Sequence, residues 1–196
     1  MNPNIYLSYT ALRKIVGILG LALPVILIGW GYALHGHMLP SMSAYYQWET
    51  RDAFVGVLFA VGFFLACYQG YDKKDHTAAF IAGLAAMGVA VFPYNGHPRN
   101  GLLHLICAVI FFLTLAYTAF FLFTKTEGTP TPQKLQRNTI YRTCGILMVG
   151  GMGAMVGKEV WWPNTTQPIV FVSEVVMLWS FGVSWLVKGE TFFKDV

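Results

Sequence analysis

Six apolar runs, at positions 15–34, 53–71, 77–92, 102–123, 143–160 and 169–187, constrain this chain more than any other feature. A helix needs about 20 apolar residues to cross a hydrocarbon layer roughly 30 Å thick, so each run predicts one transmembrane helix. Hydrophobic residues make up 56% of the chain and charged ones only 11%, which leaves too little polar surface for a water-soluble fold of 196 residues. The expected architecture is all-α: an integral membrane bundle of six transmembrane helices forming one polytopic domain over residues 1–196. The first run lacks a small-residue cleavage site and is too long for a signal-peptide core, so it is expected to stay as the first helix.

The runs differ in character. The first contains Pro24, tolerated in membrane helices where neighbours satisfy the freed carbonyl. The third is short, rich in Ala and Gly, and ends at Pro93, which suits a helix packed closely among others. The fourth is the most hydrophobic, with Phe111, Phe112, Phe120 and Phe121. The fifth carries Gly145, Gly150, Gly151, Gly153 and Gly157, and the step from Gly153 to Gly157 is a G-x-x-x-G spacing. Close packing inside the chain is the first reading of those glycines, and a homo- or hetero-oligomer contact is the second. Cys67, Cys107 and Cys144 fall in or beside apolar runs without a C-x-x-C pair and read as small core residues. Only 124–133, with Pro130, Pro132 and several Thr, has a loop-like composition.

Alternate connections divide the 13 basic residues unequally. Arg13, Lys14, Lys73, Lys74, Lys125, Lys134, Arg137, Arg142, Lys188 and Lys194 fall on one side, against Arg51, Arg99 and Lys158 on the other. Short cytoplasmic loops retain Lys and Arg, so this bias predicts both termini inside, N-in/C-in, in a cell membrane, by resemblance a bacterial cytoplasmic one. The net charge of +4 is scattered among loops with no basic stripe, which argues against a nucleic-acid partner and leaves the lipid bilayer as the first one.

The three outward connections, 35–52, 93–101 and 158–168, gather most of the unusual polar residues. Trp161 and Trp162 fit an interfacial aromatic belt. His104 and Glu174 lie one or two turns inside their helices, about 5 to 10 Å deep. A carboxylate at such depth needs a partner, and Arg51 or Arg99 is the expected one because a guanidinium fork matches it. Together these residues predict an outer polar and aromatic pocket for a lipid head group or small amphiphile, with Ser43, Tyr45, Tyr46, Arg51, Asp52, His104, Glu159 and Glu174 as its ligand-binding residues.

Four of the five histidines, His35, His37, His97 and His104, also fall on this side. Zinc takes three or four His, Cys or carboxylate ligands, so His97, His104, Asp52 and His37 (or His35) form a candidate metal set and raise the alternative of a zinc-dependent membrane hydrolase. No H-E-x-x-H or H-x-x-x-H spacing supports it, and neither Ser41 nor Ser43 sits in a G-x-S-x-G turn. Haem would need a facing pair of embedded histidines, and only His104 is one. Asn164-Thr165-Thr166 matches a glycosylation acceptor, a three-residue pattern common by chance. A third alternative is a non-catalytic accessory subunit docked through the fifth helix.

The stretch Ser41-Met42-Ser43-Ala44-Tyr45-Tyr46, followed by Arg51-Asp52-Ala53-Phe54-Val55-Gly56, resembles one in bacterial multi-pass proteins of unknown function. In layout it is similar to the damage-regulated autophagy modulator type of six-helix membrane protein, in which a serine-containing outer loop follows helix one. The resemblance covers the first half of the chain and implies a six-helix membrane fold without a reaction. In chemical inventory Ser43, Asp52, His97 and His104 also resemble the serine, aspartate and histidines of the alkaline ceramidase and progestin-receptor superfamily. This chain departs from that family in helix count and carries Glu174 on its last helix in place of paired histidines.

Overall fold

A computed structural model of the chain describes residues 8–94, 97–126, 128–165 and 168–193. Lys194 of the basic count and Thr166 of the acceptor triplet lie outside the described residues. Six long helices account for the fold: α1 (Tyr9–His35), α2 (Arg51–Ala66), α3 (Lys73–Val91), α4 (Pro98–Tyr117), α5 (Pro132–Trp161) and α6 (Ile169–Lys188). A 3-10 helix, Ser43–Gln47, precedes α2, and a π turn, Thr118–Leu122, extends α4. No strand occurs among the described residues.

Four of the six, α1, α4 with its π turn, α5 and α6, are long and apolar enough to cross a membrane, where six such helices were expected. The other two fall short for identifiable reasons. α2 has 16 residues and stops at Ala66, about 24 Å of helix, because the chain turns at Gly70 in the left-handed region (φ 64°). A Cβ at Gly70 would sit 2.2 Å from that of Asp75, so the turn admits only glycine. α3 opens on Lys73-Lys74-Asp75-His76, which shortens its apolar part. Its start is a capping box: the Asp72 carboxylate accepts from the Lys74 and Asp75 amides, and Asp75 accepts from the Asp72 amide.

α5 departs from expectation in the other direction. It starts at Pro132 rather than near residue 143, with Thr131 accepting from the Lys134 amide, and its 30 residues reach about 45 Å. Its first three turns carry Lys134, Arg137 and Arg142.

Consecutive helices pack antiparallel, α2 on α1 and α3, α3 on α4, and α6 on both α1 and α5. The closest approaches are made by glycines outside the G-x-x-x-G step. Gly17 and Gly182 set the crossing of α1 and α6, since a Cβ on either would lie 2.8 Å from the other's carbonyl oxygen. Gly150 and Gly153 on α5 meet nothing within 4 Å, so close packing inside the chain does not explain them. Cys144 is buried and Cys107 half-buried, but Cys67 is exposed. The core runs from Tyr45 and Phe54 through Phe111 and Phe181 to Trp185, Tyr68, Phe123 and Tyr141.

This packing sorts the connections into two ends. One, the histidine end, holds the 36–50 segment, the α3–α4 connection and the start of α6. The other, the basic end, holds the start of α1, the α2–α3 and α4–α5 connections and the end of α6.

Candidate functional site

At the histidine end the segment between α1 and α2 folds back over the bundle as a plug. Gly36 ends α1 in the left-handed region (φ 70°), which turns the chain inward. Tyr45 is fully buried, its ring seated against Gly31, where a Cβ would come within 2.5 Å of the ring. Its hydroxyl accepts from the Leu39 amide at 3.3 Å, and its carbonyl accepts from the Thr50 hydroxyl at 2.9 Å. The 3-10 helix leaves its first amides without intrahelical partners. Glu174, reaching from α6, accepts from the Met42 amide at 2.7 Å with the Ser43 amide beside it, and Ser41 Oγ accepts from the Ala44 amide at 3.1 Å. The carboxylate thus caps a helix from a different part of the chain, where negative charge is favoured.

The expected arginine partner of Glu174 is replaced by these amides. Arg51 stands exposed at the start of α2, its guanidinium over the Tyr46 ring at 5.0 Å and bonded to the Tyr46 hydroxyl at 3.3 Å. Among the described residues no basic side chain lies within ion-pair distance of Glu174. Two backbone N–H groups satisfy the carboxylate without desolvating a second charge.

His104 is 7% exposed. Its Nδ1 donates to the Phe92 carbonyl at 2.8 Å, and the ring lies within reach of the Val89 carbonyl. Pro93 has no N–H to give Val89, so this imidazole closes the end of α3. His104, Glu174 and Ser43 line one interior cavity of about 50 Å³, walled by Leu23, Phe54, Phe111 and Leu178. That space is large enough for a few waters.

Of the eight expected ligand-binding residues these three share the cavity. Tyr45 holds the plug from beneath, and Tyr46 packs edge-on to Phe54, 6.2 Å between centroids. Asp52 is exposed, and Glu159 is exposed and paired with Lys158 at 2.9 Å. The proposed metal ligands do not converge: no group of three His, Cys, Asp or Glu able to hold a metal occurs among the described residues. His37 Nδ1 donates to the His35 carbonyl at 2.8 Å, and both rings flank Trp48. His35 pairs with Glu49 at 2.9 Å. The Glu49 carboxyl is held below the usual carboxylate range by its own backbone amide and then by His35. The Ser41 and Ser43 hydroxyls bond each other at 3.1 Å, and among the described residues neither bonds a base.

The basic end holds a larger site, whose residues sequence reading treats only as topology signals. A cavity of about 630 Å³ opens there between the α2–α3 turn, the α4–α5 connection, the first turns of α5 and the end of α6. Lys125 bonds Asp72 at 2.8 Å and Asp75 at 3.4 Å, which occupies both carboxylates. Lys125, followed by the Asp75 and Lys74 amides, holds the Asp72 carboxyl below its usual range. Arg137 donates to the Phe193 carbonyl at 2.6 Å, and Lys134 to the Phe123 carbonyl at 2.9 Å. Arg13, behind the cavity, reaches the Lys188 carbonyl at 3.5 Å and lies over the Tyr68 and Tyr71 rings. Groups of two to four basic residues show in the sequence, but only packing brings the start of α1, the two connections and the end of α6 to one point. No family model, curated protein or solved structure matches the chain.

Proposed function

We propose that the chain is a six-span membrane protein whose histidine end, on the outer side, binds a small amphiphile or lipid head group bearing N–H donors. The topology reading is supported by continuity: α2 starts beside the plug and leads to Tyr68 against Trp185, and α3 runs back from Asp75 to the His104 cap. Both helices thus join the same two ends as α1 and α6, and the basic residues at one of them mark it as cytoplasmic.

One observation carries the ligand reading. Glu174 faces an apolar-walled interior cavity and, among the described residues, is satisfied only by the amides of the plug, beside His104. An ammonium group entering as the plug lifts would take over the carboxylate, and Leu23, Phe54 and Leu178 would meet the apolar chain. The test uses dodecylamine as probe on the purified chain in nonionic detergent, read by thermal shift and by quenching of tryptophan fluorescence. Wild type should be stabilised and Glu174→Gln should not. Equal stabilisation of both would remove Glu174 from the site and this reading with it.

A further inference from the structure

We propose that the groove between α3 and α4 at the basic end holds an anionic phospholipid of the cytoplasmic leaflet, its phosphate on Lys73 and Lys74 and one acyl chain along the helices. The groove has a volume of about 590 Å³ and lies on the surface of the bundle. Ala78, Ile81 and Leu113 wall it, and Tyr117 stands beside them. Ile81, Leu113 and Tyr117 are all exposed, so the protein's own packing leaves this apolar surface uncovered. From Lys74 to Ile81 the groove follows α3 for about 10 Å, running from the basic end toward the middle of the bundle.

The two lysines give the groove its polarity. Both are exposed, and among the described residues neither ammonium lies within ion-pair distance of a carboxylate. The acidic groups nearest in the chain, Asp72 and Asp75, are engaged by Lys125 and by the amides at the start of α3. Two other surface grooves, of about 560 Å³ between α4 and α5 and about 460 Å³ between α5 and α6, carry no charged side chain. An acyl chain finds no head-group contact there. Between α3 and α4 the ammonium groups meet one end of an anionic amphiphile and the walls meet the other, whereas a neutral lipid or a free phosphate compound matches only half of the site. The proposal rests on the six-span placement of α3 and α4 and is independent of the outer ligand.

Native mass spectrometry of the full chain in nonionic detergent, with dioleoyl phosphatidylglycerol and dioleoyl phosphatidylcholine added in equal amounts, reads the preference directly. Wild type should retain phosphatidylglycerol about tenfold over phosphatidylcholine, and Lys73→Gln with Lys74→Gln should bring the ratio close to one. Lys73→Arg with Lys74→Arg should keep the preference, which separates a head-group contact from a fault in folding. Ile81→Trp, which fills the groove and leaves both lysines in place, should lower the retention of phosphatidylglycerol. The dodecylamine response should persist in the double glutamine variant, so that loss of this site is distinct from loss of the outer one. Cys67, exposed at the end of α2, should react with an impermeant maleimide only in permeabilised cells. Reaction in intact cells would overturn the placement, and the leaflet with it, whatever the lipid ratio. Equal retention of the two lipids by wild type, a preference unchanged in the glutamine pair, or full retention in Ile81→Trp would overturn the groove as the site.

Discussion

The two ends of the bundle handle buried charge in opposite ways. At the histidine end one carboxylate, Glu174, is satisfied by the amides of the plug, while Arg51, Asp52 and Glu159 stay exposed. At the basic end Arg13, Arg137 and Lys188 are drawn inward to 8 or 9% exposure, and Lys125 engages the carboxylates of Asp72 and Asp75. The difference follows from what a backbone offers. A helix start presents several uncommitted N–H groups that converge on one anion, as Met42, Ser43 and Ala44 do around Glu174 and Ser41. To a cation the backbone offers carbonyls, such as that of Phe193 beside Arg137, and the neighbouring side chains offer ring faces, such as those of Tyr71 and Phe123 under Lys188. The first end closes to about 50 Å³ and the second stays open at about 630 Å³.

The comparison breaks most easily at the aromatic floor of the basic end. Trp185, 1% exposed and edge-on to Tyr68, Phe123 and Phe181, should cost about 3–5 kcal/mol of stability when truncated to Ala, read from unfolding in detergent. If the ends are independent, the hydrogen-exchange pattern of residues 41–45 should persist in that variant under native conditions. A smaller effect is expected at the plug. Glu174→Ala removes the acceptor for the Met42 amide and should cost about 1–3 kcal/mol, with faster exchange at residues 42–44. Glu174→Gln should cost less, because its carbonyl still accepts.

Lys188→Met should go the other way. An apolar side chain replaces a buried ammonium that, among the described residues, meets only rings, so stability should hold or rise by about 1 kcal/mol. A fall of the size seen for Glu174→Ala would mean that the ends are not opposites. The smallest effect concerns Asp72. Its carboxyl is held in the folded chain below its ordinary value of 3.8, chiefly by Lys125, so the bridge contributes above that pH and is lost as acid takes the pH below it. Stability should be insensitive to this pair from roughly pH 5 to 9 and should fall on further acidification, and Asp72→Asn should flatten that acid limb.

Much of the fold is legible in the residues. All six apolar runs became helices, and α6 starts at the expected residue because Pro168 precedes it. The misjudged limits are those set by local chemistry that hydropathy does not register. α2 stops at Ala66 because Gly70 turns the chain, and α5 starts at Pro132 because Thr131 caps a polar stretch. At the histidine end His104 and Glu174 stand out in sequence as ionisable residues inside apolar runs, and both line the cavity. Their actual partners, the Phe92 carbonyl and the Met42 amide, were beyond reach because every residue carries such groups and only position selects them.

The residues by themselves determined that this chain forms apolar helices, four of them long enough to cross a membrane, and that its basic side chains gather between alternate pairs of apolar runs, since length and charge bias are properties of short segments. Tertiary structure decided which polar groups meet. It carried Glu174 to an amide 132 residues away and gathered Lys125, Lys134, Arg137 and Lys188 around one space. Those outcomes depend on where the Gly17 and Gly182 backbones touch and on where a helix begins or ends, and a displacement of one turn, about 5.4 Å, would undo either.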